Sequence, residues 1–270
     1  MIYSIFPTKD VTLFEKYPEM NTGIDEVLTI EKISSSSVSP VTYNSRALLK
    51  FDIDWTKISD SWNAAYLNMY VTEEKNIGAD YKLVVHSVTE SWDQGLGRAG
   101  HSPKTNVGAS WKWRDKVQMW TYAGGVTSPS EIGSQIFSES KDLRINVSES
   151  CAAWSSSTYV NNGLMVRRTG SQETDAYSYG STTFFGKDTH TIYPPRLEIC
   201  WDDKYWDTSG LTALNVQDPE AVFFYLKNNR GAYKRGSKIR FNINGREKYP
   251  VKTYGTTSAE LDIKRVLGDR

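Results

Sequence analysis

Residues 45 to 54, Ser-Arg-Ala-Leu-Leu-Lys-Phe-Asp-Ile-Asp, carry the alternation of a half-buried strand. Ala47, Leu49, Phe51 and Ile53 fall on one face, and Arg46, Lys50, Asp52 and Asp54 on the other. One apolar and one wet face is the pattern of an antiparallel sheet, because strands of parallel sheets are covered on both sides. The same period predicts short strands near residues 11–14 and 27–31, with a turn at Asn21-Thr22-Gly23 between them and a serine loop at 34–37. It recurs at 64–71, where Ala65, Leu67, Met69 and Val71 share a face, and at 81–88. Alternation then stops for about fifty residues, a length unusual for a loop without a purpose.

Regular structure resumes at 143–147. Ser148 or Ser150 is placed to cap a short helix with Cys151 and Trp154 on one side. Asn161-Asn162-Gly163 predicts a tight turn into a strand at 164–168. Strands at 181–186 and 196–201, with Leu197, Ile199 and Trp201 inward, complete about nine. The predicted fold is all-β: an antiparallel jelly-roll-like β-sandwich over residues 1–203, then a second, smaller β domain over 204–270. Segments 221–226, 238–243 and 258–263 read as further strands of that unit, which is small for an independent sandwich.

Composition supports strands, with nine Trp, sixteen Tyr and nine Phe in a chain that is 39% hydrophobic. The first residues lack the apolar run of a secretory signal, and no stretch is long enough to span a bilayer, so a soluble protein without membrane insertion is expected. Two cysteines, Cys151 and Cys200, are too few for a disulfide framework and are expected as free thiols. The net charge of zero hides an asymmetry. Residues 204–270 hold thirteen Lys and Arg against seven acids, and the rest of the chain balances them. Most of the excess lies between residues 227 and 252, where Arg230, Lys234, Arg235, Lys238 and Arg240 form the expected assembly contact with another protein. Interleaved Tyr, Gly and Asn rank nucleic acid below a protein partner.

The irregular stretch contains Gly95-Leu96-Gly97-Arg98-Ala99-Gly100, the glycine spacing of a dinucleotide fingerprint. It lacks the preceding buried strand and the following helix that would receive a pyrophosphate, so the match is accidental. The same stretch carries Trp92, Trp111, Trp113, Trp120 and Tyr122. Either these form a satellite core under a long loop, or Trp111, Trp113, Trp120 and Tyr122 stack on sugar rings.

No residues here compel catalysis. His86, His101 and His190 are far apart and outside any metal-ligand spacing, and no Gly-x-Ser-x-Gly elbow is present. Glu90 and Asp93 flank Trp92 but read as solvated or structural carboxylates. Asp202 and Asp203 lack the spacing of a dedicated calcium loop. Asn146-Val147-Ser148 matches a glycosylation acceptor, which matters only after secretion. The sequence therefore predicts no enzyme, no cofactor and no metal.

Five pieces occur in an order that resembles the DNRLRE-type β-sandwich domain: residues 46–52 (Arg-Ala-Leu-Leu-Lys-Phe-Asp), 64–70 (Ala-Ala-Tyr-Leu-Asn-Met-Tyr), 88–92 (Val-Thr-Glu-Ser-Trp), 161–164 (Asn-Asn-Gly-Leu) and 195–199 (Pro-Arg-Leu-Glu-Ile). The resemblance covers most of residues 1–203. Longer runs at 91–98, 108–115 and 188–198 look closest to versions in tailed-phage, cyanophage-like virion proteins. The resemblance implies a non-enzymatic structural protein of the tail, neck or fibre, made in the host cytoplasm and located in the virion. Its partners would be other virion proteins and copies of itself. Because the family also includes carbohydrate-binding modules, recognition of a host surface glycan is the alternative role.

Overall fold

The computed structural model describes residues 2–34, 41–77, 81–99, 107–137, 142–201, 222–227, 232–233 and 242–248. Its contacts divide the chain into two units, Met1–Asp202 and Asp203–Arg270. The described strands of the first are β1 (Ile2–Ile5), β2 (Lys9–Phe14), β3 (Val27–Ser34), β4 (Thr42–Lys50), β5 (Trp62–Met69), β6 (Val71–Lys75), β7 (Tyr81–Ser87), β8 (Gly133–Phe137), β9 (Leu143–Asn146), β10 (Leu164–Arg168), β11 (Gly180–Phe185) and β12 (Arg196–Trp201). Helix α1 (Ser148–Ser155) follows β9, and α2 (Gly170–Thr174) follows β10.

All these strands pair antiparallel in two sheets. One has the order β1-β12-β5-β9, and the other β6-β11-β3-β4-β10-β7-β8, with β2 also on β4. Two strands share one edge of β4: β3 pairs with Thr42–Asn44 and β2 takes over from Ser45. Ser45 Oγ fills the fork, accepting from Glu31 N–H (2.8 Å) and donating to Thr29 O (2.7 Å). Inward residues of both sheets form a single core that includes Ala47, Leu49, Leu67, Ile145, Val166 and Ile199. This is the antiparallel β-sandwich that the alternation predicts.

The central register holds. Ala47, Leu49 and Phe51 are fully buried, and Ile53 packs at the edge of the same core. Strand β4 ends at Lys50, and the Asn161 amide anchors the next carbonyl, Phe51 O, at 2.7 Å. The expectation of a wet opposite face is corrected by Leu48, which is fully buried in a second core. A second correction concerns residues 64–71, which are not one strand. The chain leaves the first sheet after Met69 and enters the other at Val71, while Tyr70 O accepts a hydrogen bond from Phe185 N–H. Period two runs through this crossing because both segments face the same interior.

Helix α1 buries Cys151 and Trp154 as predicted, but neither serine caps it. Ser148 Oγ accepts from Ala65 N–H and Ser150 Oγ pairs with Ser87 Oγ, while Asn146 Oδ1 accepts from Ser148 N–H at 2.9 Å. Both cysteines are free, and burial pushes the Cys151 thiol up to about 12. In the second unit, β13 (Val222–Lys227) pairs antiparallel with β14 (Asn242–Glu247). β14 runs past the expected end at 243. Of the expected serine loop at 34–37, Ser34 is the last residue of β3 and 35–37 lie outside the described residues, as do the earlier part of the 238–243 strand and the whole 258–263 strand.

Candidate functional site

Within the long irregular stretch, the described residues 88–99 and 107–132 form a cover over the sheet face opposite the main core, and residues 133–137 form β8. Val88, Trp92, Ala109, Trp111 and Trp120 pack on Val11 and Leu13 of β2, Leu48 of β4 and Met165 of β10. Trp92 Nε1 donates to Asn162 O (2.8 Å) and Trp120 Nε1 to Ser110 O (2.9 Å), so both buried indoles have their N–H satisfied. The Arg46 guanidinium lies 4.8 Å from the Trp111 ring centroid. Trp111 and Trp120 are therefore committed to packing and offer no ring face to a sugar. Trp113 is half-buried with the Lys112 ammonium 5.5 Å from its ring, and Tyr122 alone of the four expected stacking residues stands well exposed, at 71%.

Asn21 ties the cover down. Its amide donates to Gln94 O and Ala109 O, each at 2.7 Å, and its Oδ1 accepts from Gly23 N–H (3.2 Å) and Gly97 N–H (2.7 Å). All the hydrogen-bonding capacity of this buried amide is thereby used. A Cβ at Gly97 would lie 2.3 Å from Asn21 O, and Gly95 adopts φ 79 against the Asn21 side chain. Gly95 and Gly97 are thus explained by close backbone approach around Asn21, and among the described residues 88–99 no strand leads into them.

A second tie crosses the same sheet face. Arg46 Nε and Nη2 grip the two carboxylate oxygens of buried Glu173 at 3.0 and 2.8 Å, and Arg167 Nη1 adds a third contact at 2.7 Å. Arg46 Nη1 also donates to Gly124 O of the cover. Arg167 reaches His86 Nε2 at 3.4 Å, while His86 Nδ1 sits 3.2 and 3.1 Å from Ser128 O and Ser130 O. Burial, reinforced by the Arg167 charge, lowers the His86 pKa, which favours a neutral ring donating through Nδ1 and accepting through Nε2. The assembly is chemically a clamp: both carboxylate oxygens of Glu173 face a guanidinium. The sequence pattern puts Arg46 on a wet face and does not mark Glu173, Arg167 or Asn21: Arg46 and Gln94 are distant partners, and the six-residue step from Arg167 to Glu173 fits no strand or helix period.

The sandwich end beside α2 is closed by two buried cations. Lys32 Nζ donates to Asp175 Oδ1 and Asp175 O, both at 2.6 Å, and Arg168 lies between the Tyr81 and Tyr179 rings. Burial pulls the Arg168 guanidinium down to about 10.

Asp10 is buried at the start of β2, and its Oδ2 accepts from Lys187 N–H at 2.5 Å. Burial pushes its carboxyl up to about 7; the Lys187 hydrogen bond opposes this, and the nearby Asp188 and Asp25 charges add to it. The folded protein thus holds a proton that the unfolded chain releases near pH 4. Stability contributed by this group is present at low pH, is lost as pH rises from about 4 to about 7, and stays level above that. Asp10→Asn is expected to raise the melting temperature at pH 8 and leave it nearly unchanged at pH 4. A lower melting temperature at pH 8 would contradict this assignment.

The remaining chemical candidates are dispersed. Glu90 accepts from Thr121, Asp93 pairs with Lys9 at 3.0 Å, and exposed His190 lies 3.9 Å from Glu26. Among the described residues, no group of three or more His, Cys, Asp or Glu is placed to hold a metal. His101, Asp202, Asp203 and the expected contact residues Arg230, Lys234, Arg235, Lys238 and Arg240 lie outside the described residues. No described helix is long and apolar enough to cross a membrane. In comparisons with known proteins, no family model and no curated protein matches the chain.

Proposed function

We propose that the protein is a non-enzymatic structural component of a tailed-bacteriophage virion, in the tail, neck or fibre, working through subunit assembly. The observation that carries this reading is β13. Its residues Phe223, Phe224, Tyr225 and Leu226 are consecutive and 37–49% exposed. Successive strand residues point to opposite faces, so both faces of this ribbon are apolar. Phe223 and Tyr225 stack at 6.2 Å on one, and Leu226 on the other pairs in register with Ile243 of β14, itself 66% exposed. Contiguous exposed apolar surface of this kind is characteristic of association sites.

Charge supplies the steering. The basic residues 204–270 on one copy attract the acidic remainder of another, and a head-to-tail contact closes into a ring when its rotation permits. Salt then slows encounter more than it weakens the assembled state, because exposed ion pairs contribute little and apolar burial is unscreened. The resemblance to phage virion domains supports locating such contacts in the particle.

The test is complementation of a phage lacking the chain, followed by mass spectrometry of density-purified particles. Wild-type chain is expected in the particles at stoichiometric level, and Phe224→Ser/Leu226→Ser is expected to be lost from them. Absence of the wild-type chain, or full incorporation of the double variant, would contradict the proposal.

A further inference from the structure

A groove of about 500 Å³ lies in the first unit, between the end of β7, residues 127–132 of the cover, α1 and the loop 159–162. That volume falls within the range of ~300–1,000 Å³ typical of small-ligand sites. We infer that this groove binds one unit of a neutral carbohydrate, with Tyr159 as its stacking platform. The inference is independent of the assembly reading, and it moves sugar recognition away from the aromatic residues of the cover.

Both walls are set before any ligand arrives. On one side, Ser128 N–H donates to Ser87 O (2.9 Å) and Ile132 N–H to Val85 O (2.9 Å), while the His86 ring holds Ser128 O and Ser130 O. On the other, Asn162 Nδ2 donates to Thr89 O (3.0 Å) and Asn162 O accepts from Trp92, which fixes the loop. The chain leaves α1 through Ser157 at φ 56, and Tyr159 N–H is tied back to Ala153 O (3.3 Å). Such preorganisation lowers the ordering cost of binding.

The lining chemistry selects the ligand. Ser87, Thr89, Thr127, Ser128, Ser130 and Ser150, six hydroxyl-bearing residues, line one groove, with Glu149 as its single charged residue. Ser87 Oγ and Ser150 Oγ lie 2.7 Å apart; that bond uses one of their two hydroxyl protons and leaves the other to donate. No Lys or Arg lines the groove, so nothing there neutralises a phosphate or a nucleic-acid backbone. Tyr159 is 70% exposed at the rim, and Trp154 lies in the wall below. A sugar ring has this same division: hydroxyls around its edge and a C–H face that stacks on an aromatic ring. The Glu149 carboxylate, an acceptor only, matches two adjacent sugar hydroxyls. Thr89 Oγ1 already donates to Val126 O (3.2 Å) and Ser128 Oγ to Ser130 O (3.3 Å), so these two offer a ligand acceptor oxygens, which sugar hydroxyls can use and a purely apolar peptide cannot.

The full chain is titrated calorimetrically with lactose, maltotriose, mannotriose and chitotriose. At least one is expected to give saturable heat, and Tyr159→Ala and Glu149→Gln are each expected to weaken it about tenfold. Tyr159 is exposed, so its variant should melt with the wild type. Tyr177→Ala, exposed elsewhere on the unit, should bind as the wild type does. Silence from all four sugars, undiminished binding by Tyr159→Ala, or saturable binding of an apolar test peptide with none of the sugars would overturn the inference. Assembly of the Tyr159 and Glu149 variants should be normal, which separates failure here from failure of the structural role.

Discussion

Phe51→Ala is expected to destabilise the first unit by about 3–5 kcal/mol, the range for removing a fully buried Phe. The ring has no solvent exposure and lies in the main core just beyond β4, where the Asn161 amide holds its carbonyl. The neighbouring backbone is thus pinned, and collapse around the cavity is restricted. Urea unfolding should show a lower midpoint with an unchanged slope. Lys50→Ala, on the adjacent half-buried position, should cost far less. Equal losses for the two would contradict the register that organises the sandwich.

Glu173→Gln should match that loss, at about 3–5 kcal/mol, because it leaves two guanidiniums inside the sheet-and-cover interface without their carboxylate. Arg46, Arg167 and Glu173 are all largely buried, and the same arginine reaches Gly124 O of the cover. Limited proteolysis should therefore find faster cleavage within residues 107–132 of the variant. Replacing the whole cluster, Arg46→Met/Arg167→Met/Glu173→Leu, should be less damaging than the single change, since no buried charge is left unpaired. A triple variant weaker than Glu173→Gln would show that the charges add net stability.

Local periodicity made the strands around Phe51, the buried side of α1 at Cys151 and Trp154, and β12 legible in the sequence. Each signal lies within a few residues, so no tertiary information is needed to read it. The crossing at Tyr70 was illegible because alternation does not register a change of sheet. β1, β6 and β8 also escaped: Val71–Lys75 is a polar strand, and its glutamates are those of a sheet edge. The second core hid for a related reason. Leu48 is one apolar residue on a face otherwise read as charged, and what covers it comes from the loop some forty to seventy residues later. Caps at α1 failed because the serines found better partners on β5 and β7.

The candidate sites were less legible than the fold. Aromatic density in the cover left a satellite core and a sugar platform both open, because density alone does not say which way an indole faces. Trp111 and Trp120 turned inward and Tyr122 outward. Tyr159 and Val160 left one usable sign: an apolar pair inside the polar run 155–162, with no periodic element to bury it. Asn21 and Glu173 left none: Asn21 holds carbonyls more than seventy residues away, and Glu173 joins Arg46, more than a hundred residues away, to Arg167 at a spacing no periodic element has.

Sedimentation velocity of the full chain over a wide concentration range tests the assembly role most directly. Concentration-dependent species larger than a monomer are expected, forming more slowly as salt rises, with a monomer at all concentrations for Phe224→Ser/Leu226→Ser. A wild-type chain that stays monomeric throughout, or a double variant that associates as the wild type does, would contradict it.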